Sequence, residues 1–167
     1  MIKESNFKNL LLSLGFTNTG DKYEKKFTHF GTSLRVDFSK KKLYYPDTIK
    51  GRERNDGFGA PENFVVFECV NRLLEKGYRP EHIELEKEWH LGHDAKSGRA
   101  DICVTDSKGS MLFIVECKTW GREFDKALGN TKNDGAQLFS YWQQEQSCKW
   151  LVLYASEFNG GAIEYKA

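Results

Sequence analysis

The rhythm of apolar and polar positions changes near residue 58. Before it, the pattern is short and broken. Residues 5–14 (SNFKNLLLSL) read as a short helix, with Ser5 or Asn6 as the N-cap and Gly15 as the stop. Three strand-like pieces follow at 22–28, 33–38 and 42–45, separated by turns rich in glycine and aspartate. The polar, glycine-rich run IKGRERNDGFGAP then predicts a connecting loop. The chain is expected to divide into an α+β appendage over 1–57 and a larger domain over 58–167.

The second part is more strongly patterned. Residues 61–76 (PENFVVFECVNRLLEK) predict a helix: Pro61 suits the first turn, Glu62 favours the N-terminal dipole, and Gly77 ends it. Strands are predicted at 82–89, 100–105 and 111–117, the last two joined by a hairpin-like connection at 106–110. A loop rich in charge and glycine is predicted from Thr119 to about Asn133, then a helix over 134–146 and a buried strand over 149–155. The order α-β-β-β-α-β implies an α/β layer fold around a central mixed sheet.

Composition narrows the function classes. No run approaches the ~20 apolar residues that span a bilayer, and MIKESNFKN lacks a signal-peptide apolar core, so no membrane partner and a cytoplasmic location are expected. The four cysteines (Cys69, Cys103, Cys117, Cys148) form no CxxC pair and have no histidine at ligand spacing. They predict buried small hydrophobes, not zinc ligands or disulfides. A net charge of +1 does not announce a nucleic-acid binder, so any grip on phosphates needs a local patch. Lys40–Lys42 and the string Lys50, Arg52, Arg54 are candidates, although a solvated turn explains the first equally well.

The chemistry concentrates in FIVECKTW. Residues 111–117 are apolar on both faces, as in a strand buried mid-sheet, yet the strand ends in Glu116 and Lys118. These lie at i and i+2 and so share a face. Burying such charges without partners costs several kcal/mol, and a central strand ending this way needs a reason. A four-residue turn at Ser107–Ser110 sets Asp101 opposite Glu116; a longer turn needs a bulge to restore that register. Two converging carboxylates are suited to Mg²⁺, with Mn²⁺ as a substitute, and the main-chain carbonyl of Cys117 is a further ligand candidate. Bound metal acidifies a water and neutralises phosphate charge, while Lys118 orients or deprotonates that water.

Two helices supply further candidates. At ~100° per residue Glu62 shares the inward stripe of Val66, Cys69 and Leu73, whereas Glu68 falls with Asn71, Arg72 and Glu75 on the expected solvent side. Glu62 is therefore the better carboxylate for a metal site, its plainer role being a first-turn acid on the helix dipole. Gln137 and Tyr141 lie four apart and share a face, either toward the catalytic strand or as caps on the core. Arg122, Lys126 and Lys132 are weaker candidates for contact with DNA.

These residues resemble the PD-(D/E)xK nuclease superfamily. Within it, the run from Pro61 to Phe158 resembles the nuclease domain at the N-terminus of type I restriction endonuclease subunits and related single-chain restriction-modification enzymes. RADICV carries Asp101, VECK carries Glu116 and Lys118, and GAQLFSYWQQ carries Gln137 and Tyr141. The Q-x-x-x-Y after E-x-K is the more discriminating feature. The resemblance implies a restriction-endonuclease-like core, Mg²⁺ on the aspartate and glutamate, the lysine at the attacking water, and a Gln/Tyr helix supporting cleavage or DNA contact. Glu62 after Pro61 resembles the family's helix-borne acid.

The expected function is thus a Mg²⁺-dependent endodeoxyribonuclease domain of a restriction-modification system. The chain has no G-x-x-x-x-G-K-[ST] phosphate loop and no Asn-Pro-Pro motif. The resemblance therefore implies motor, methyltransferase and specificity parts in other domains or subunits. The ending GGAIEYKA, soon after a strand, fits a piece of a longer protein. The rival readings are a structure-specific repair or junction nuclease, and a catalytically silent DNA- or protein-binding module of the same fold.

Overall fold

The computed structural model describes residues 1–54, 56–89, 99–134, 141–143 and 145–167. Helix α1 (Glu4–Ser13) leads into a four-stranded antiparallel sheet of β1 (Thr17–Thr19), β2 (Lys22–Phe27), β3 (Thr32–Asp37) and β4 (Lys42–Tyr44), in chain order. The helix is capped differently from the expectation. Lys3 is the N-cap, and Asn6, three residues into the helix, accepts the Lys3 amide at 2.8 Å. The Asn6 amide also donates to the Met1 carbonyl at 3.1 Å, so its side chain closes the turn from within. Strand β1 was not expected, because TNT is short and wholly exposed.

The larger half contains α2 (Pro61–Glu75), β5 (Ile83–Glu88), β6 (Arg99–Thr105), β7 (Met111–Cys117), α3 (Arg122–Asp134), β8 (Trp150–Asn159) and β9 (Ala162–Lys166). Its sheet runs β5-β6-β7-β8-β9, mixed as expected, with β7 and β8 parallel and the other pairs antiparallel. Strand β8 continues past residue 155 and turns at Gly160–Gly161 into β9. The expected helix over 134–146 lies mostly outside the described residues, and Gln137 with it; residues 141–143 are helical.

Two expectations are corrected. The segment predicted as a loop from Thr119 to Asn133 is largely helix α3. Its six charges and Gly129 obscure a narrow apolar stripe, in which Phe124 and Leu128 lie one turn apart against β8. Glu68 and Asn71, expected on the solvent side of α2, are fully buried. The helix has partners on two sides. Phe64 and Phe67 pack on Phe7 of α1 with ring centroids 4.5 and 6.0 Å away, while the Glu68 face meets Tyr154 of β8. A helix wedged between two layers leaves no face for water, and a single amphipathic stripe does not foretell that.

One buried cluster runs through both halves, from Ile2, Phe7 and Leu34 to Phe67, Val115 and Tyr154. The segment before α2 is also tied to the edge of β5. The Leu85 amide donates to the Lys50 carbonyl at 2.8 Å, and Gly51 (φ 69°) sits so close that a Cβ there would fall 1.9 Å from the Leu85 oxygen. This covers an edge strand that would otherwise offer free hydrogen-bonding groups.

Candidate active site

The hairpin between β6 and β7 sets the register of the site. Asp106 accepts the Lys108 and Ser110 amides at 2.8 and 2.9 Å, which fixes the turn. Thr105 pairs with Met111, so the connection is the longer one, and a bulge between Val104 and Thr105 absorbs the extra residue. Beyond it Ile102 stands opposite Val115. The next step of the ladder sets Asp101 across from Glu116, as the sequence predicts.

Asp101, Glu116, Lys118, Glu62 and Tyr141 converge there. Lys118 donates to Glu116 Oε1 at 2.7 Å and to Glu62 Oε1 at 3.1 Å. Glu62 reaches in from the first turn of α2, as its stripe predicts. Asp101 Oδ2 accepts the Cys117 amide at 2.6 Å. The Tyr141 hydroxyl lies 3.3 Å from Glu116 Oε2 and also donates to the Arg99 carbonyl. Cys117 is fully buried with its thiol hydrogen-bonded to that of Cys69, so only its main chain is available to a metal. All four cysteines are free thiols and buried, as expected.

Three positioning groups were not foreseen. The Tyr154 carbonyl accepts the Lys118 amide at 2.8 Å and holds the chain where it leaves β7. Trp89 stacks on Tyr141 with centroids 5.5 Å apart. Glu86, a non-glycine residue at φ 53°, interrupts the β5–β6 ladder opposite Asp101 and pairs with Arg99. A register forecast for β5 is the only sequence signal that could have raised the last, since Tyr154 and Trp89 read as ordinary core aromatics.

The electrostatics are those of a site short of positive charge. Burial, and then the neighbouring Glu116 carboxylate, push Asp101 up to about 8. Burial likewise raises Glu116, with Lys118 and Tyr141 offsetting only part of the cost. Burial alone would lower Lys118, but Glu116 and Glu62 outweigh it and hold the ammonium charged. The pairing thus secures the lysine without compensating either carboxylate.

Among the described residues no three of His, Cys, Asp and Glu form a metal cage. Mg²⁺ does not need one, because it keeps several waters and takes one or two carboxylates. A buried and a half-buried carboxylate that repel each other fit a divalent cation. The candidate basic residues of the sequence are mostly spoken for: Lys41 pairs with Glu4, Lys42 with Asp56, Arg52 with Asp47 and Glu53, and Arg54 with Glu88. Arg122 and Lys126 are exposed on α3. No described helix is long and apolar enough to cross a membrane.

No curated protein matches the chain. Residues 61–157, which hold the whole constellation, match the family model of the type I restriction enzyme R protein N terminus, and the chain belongs to that family.

Proposed function

We propose that the chain is a Mg²⁺-dependent endodeoxyribonuclease domain of a DNA restriction system, hydrolysing phosphodiester bonds at Asp101, Glu116 and Lys118. The observation that carries this reading is the pair of opposed carboxylates, Glu116 buried and Asp101 half-buried, with a charged lysine 2.7 Å from one of them. Asp101 and Glu116 would hold the metal, with the Cys117 carbonyl and Glu62 as further oxygen donors. Bound there, a divalent cation supplies an acidified water and neutralises charge on the phosphate.

The protein's own residues supply the rest. Lys118, kept protonated by Glu116 and Glu62, orients the attacking water and faces the charge that grows on the phosphoryl oxygens. Tyr141 steadies Glu116 through its hydroxyl. Gln137, which lies outside the described residues, is proposed with it as a polar contact to water or phosphate. Specificity, translocation and methylation belong, on this reading, to partner domains or subunits of the restriction complex.

The test is nicking of supercoiled plasmid with Mg²⁺ or Mn²⁺ by the wild type, Asp101→Ala and Lys118→Ala. Metal-dependent cutting that disappears in both variants supports the reading. Calorimetric titration with Mn²⁺ covers the case of a domain that cuts only with its partners. Wild-type binding that Asp101→Ala removes keeps the nuclease, and no binding by the wild type overturns it.

A further inference from the structure

The charge of the chain is divided unequally. Residues 1–57 hold twelve Lys and Arg against seven Asp and Glu, whereas 58–167 hold thirteen against seventeen. The family match covers the acidic part. A domain of net negative charge repels a polyanion, and Lys118 is already compensated by two carboxylates. Beyond the exposed Arg122 and Lys126 of α3, the excess positive charge that would attract a phosphate backbone lies in the first part.

The ion pairs of the first part show where. Lys8, Lys25, Lys41, Lys42, Arg52 and Arg54 each have a carboxylate partner. Lys22, Lys26, Arg35 and Lys40 form no ion pair among the described residues, and all four are exposed. They gather on the outer face of the four-stranded sheet, whose inner positions Tyr23, Phe27, Leu34, Val36 and Leu43 are buried in the core. Lys3 and Lys50, also without ion pairs, lie off this face.

Two concavities mark the face. One of about 480 Å³ is lined by Lys26 and Arg35, the other of about 410 Å³ by Lys22, Arg35 and Lys40. Thr19, Thr28, Thr32 and Ser33 are among the residues lining the same two hollows, side chains of a type suited to phosphate oxygens. The Arg35 guanidinium lies 5.2 Å from the Tyr44 ring, which props it outward. Three acids share this face: Asp47 is paired with Arg52 at 3.6 Å, while Asp37, its carboxylate held ionised by the Ser39 hydroxyl and the Lys40 amide, stands opposite Lys22. Glu24, opposite Arg35 in the register, and Asp37 dilute the patch, which keeps a positive balance through Lys22, Lys26, Arg35 and Lys40.

We infer that this outer sheet face is a docking surface for the DNA backbone, holding the duplex while the second sheet cuts it. Lys22 and Lys26 stand about 13 Å apart along β2, close to four base-pair steps of about 3.4 Å. The shared core fixes the face relative to the catalytic strand. The inference rests on the nuclease reading, but its test is separable from it.

The test is fluorescence anisotropy with a short labelled duplex, in EDTA, over a range of salt. Lys22→Gln/Lys26→Gln/Arg35→Gln/Lys40→Gln is compared with Lys8→Gln/Lys41→Gln/Lys42→Gln/Arg54→Gln, which changes net charge equally. Thermal melting establishes that both are folded. The first variant should bind at least about tenfold more weakly at low salt and lose up to about 3.6 from the slope of log K against log salt, at ~0.9 per phosphate contact. The second should lose much less. Equal losses, no loss in the first variant, or no binding by the wild type would overturn the surface. Mn²⁺ binding that Asp101→Ala abolishes but the first variant retains reports on the nuclease separately.

Discussion

In the four-stranded sheet, Asp37 ends β3 with its carboxylate accepting the Ser39 hydroxyl at 2.6 Å and the Lys40 amide at 3.1 Å. Its pKa is lowered, first by the Ser39 hydrogen bond. In the five-stranded sheet, Asp101 has one amide partner and a second carboxylate across the ladder, and is pushed up to about 8. The two aspartates are chemically identical. One sits where the chain supplies donors, the other where it withholds them. The first sheet thus stabilises its charge locally, while the second keeps negative charge that an external cation can complete. On the proposed function, the chemistry sits in the second layer, joined to the first by the core around α2.

The comparison can be broken most severely at the site itself. Asp101→Ala and Lys118→Ala should each lower metal-dependent cleavage by about 10²-fold or more, measured as initial nicking rate. Retained cutting in either variant would move the chemistry away from this strand.

The next largest effects are on stability. Phe7→Ala removes a ring packed on Phe38, Phe58, Phe64 and Phe67, and should cost about 3–5 kcal/mol. Denaturant unfolding of the wild type should remain one transition. Two resolved transitions would make the regions independent and sever the comparison. Glu68→Ala should cost about 3 kcal/mol, because it strands Arg72 (2.8 Å) and the Tyr154 hydroxyl (2.6 Å) in the layer between α2 and β8.

A subtler test uses pH and metal together. Asp101 binds its proton more tightly folded than unfolded, so it costs stability increasingly as pH rises from about 4 toward about 8. Asp101→Asn should therefore raise the melting temperature of the metal-free protein at pH 8 more than at pH 5. Added Mg²⁺ at ten times its Kd should stabilise the wild type by about 1.4 kcal/mol and leave Asp101→Asn unmoved. A metal-free gain that is the same at both pH values would remove the raised aspartate from the account.

The smallest expected effect is at Asp37. Asp37→Asn should cost little, and only above the aspartate range, since a lowered pKa contributes stability that vanishes as pH falls through it. A loss larger than that of Glu68→Ala would show that the first sheet also depends on a sensitive carboxylate.

Much of this was legible in the residues. The alternation in 22–28 and 33–38 and the short apolar runs at 100–105 and 111–117 specify strands, and Pro61 with Gly77 brackets α2. Asp101, Glu116 and Lys118 were identifiable because charge at the end of an apolar strand is costly, and Glu62 because the first turn of α2 carries it toward Lys118, although helical phase missed the burial of Glu68. Helix α3 was hidden, because a charge-rich segment with a glycine has little intrinsic signal until β8 offers a surface to its narrow stripe. The burial of Glu68 was hidden too, since it requires Tyr154 and Arg72 from other turns and strands to satisfy it.

The sequence by itself determined most of the elements, though not α3, β1 or β9, and the residues that gather at the end of β7, because periodicity and local charge act over a few residues. Tertiary structure alone decided the bulge at Val104/Thr105 that aligns Asp101 with Glu116. It also decided the Tyr154 carbonyl that anchors Lys118, and the sorting of paired from unpaired cations across the first sheet. Each depends on groups far apart in the chain meeting at hydrogen-bond distance, which local pattern does not encode.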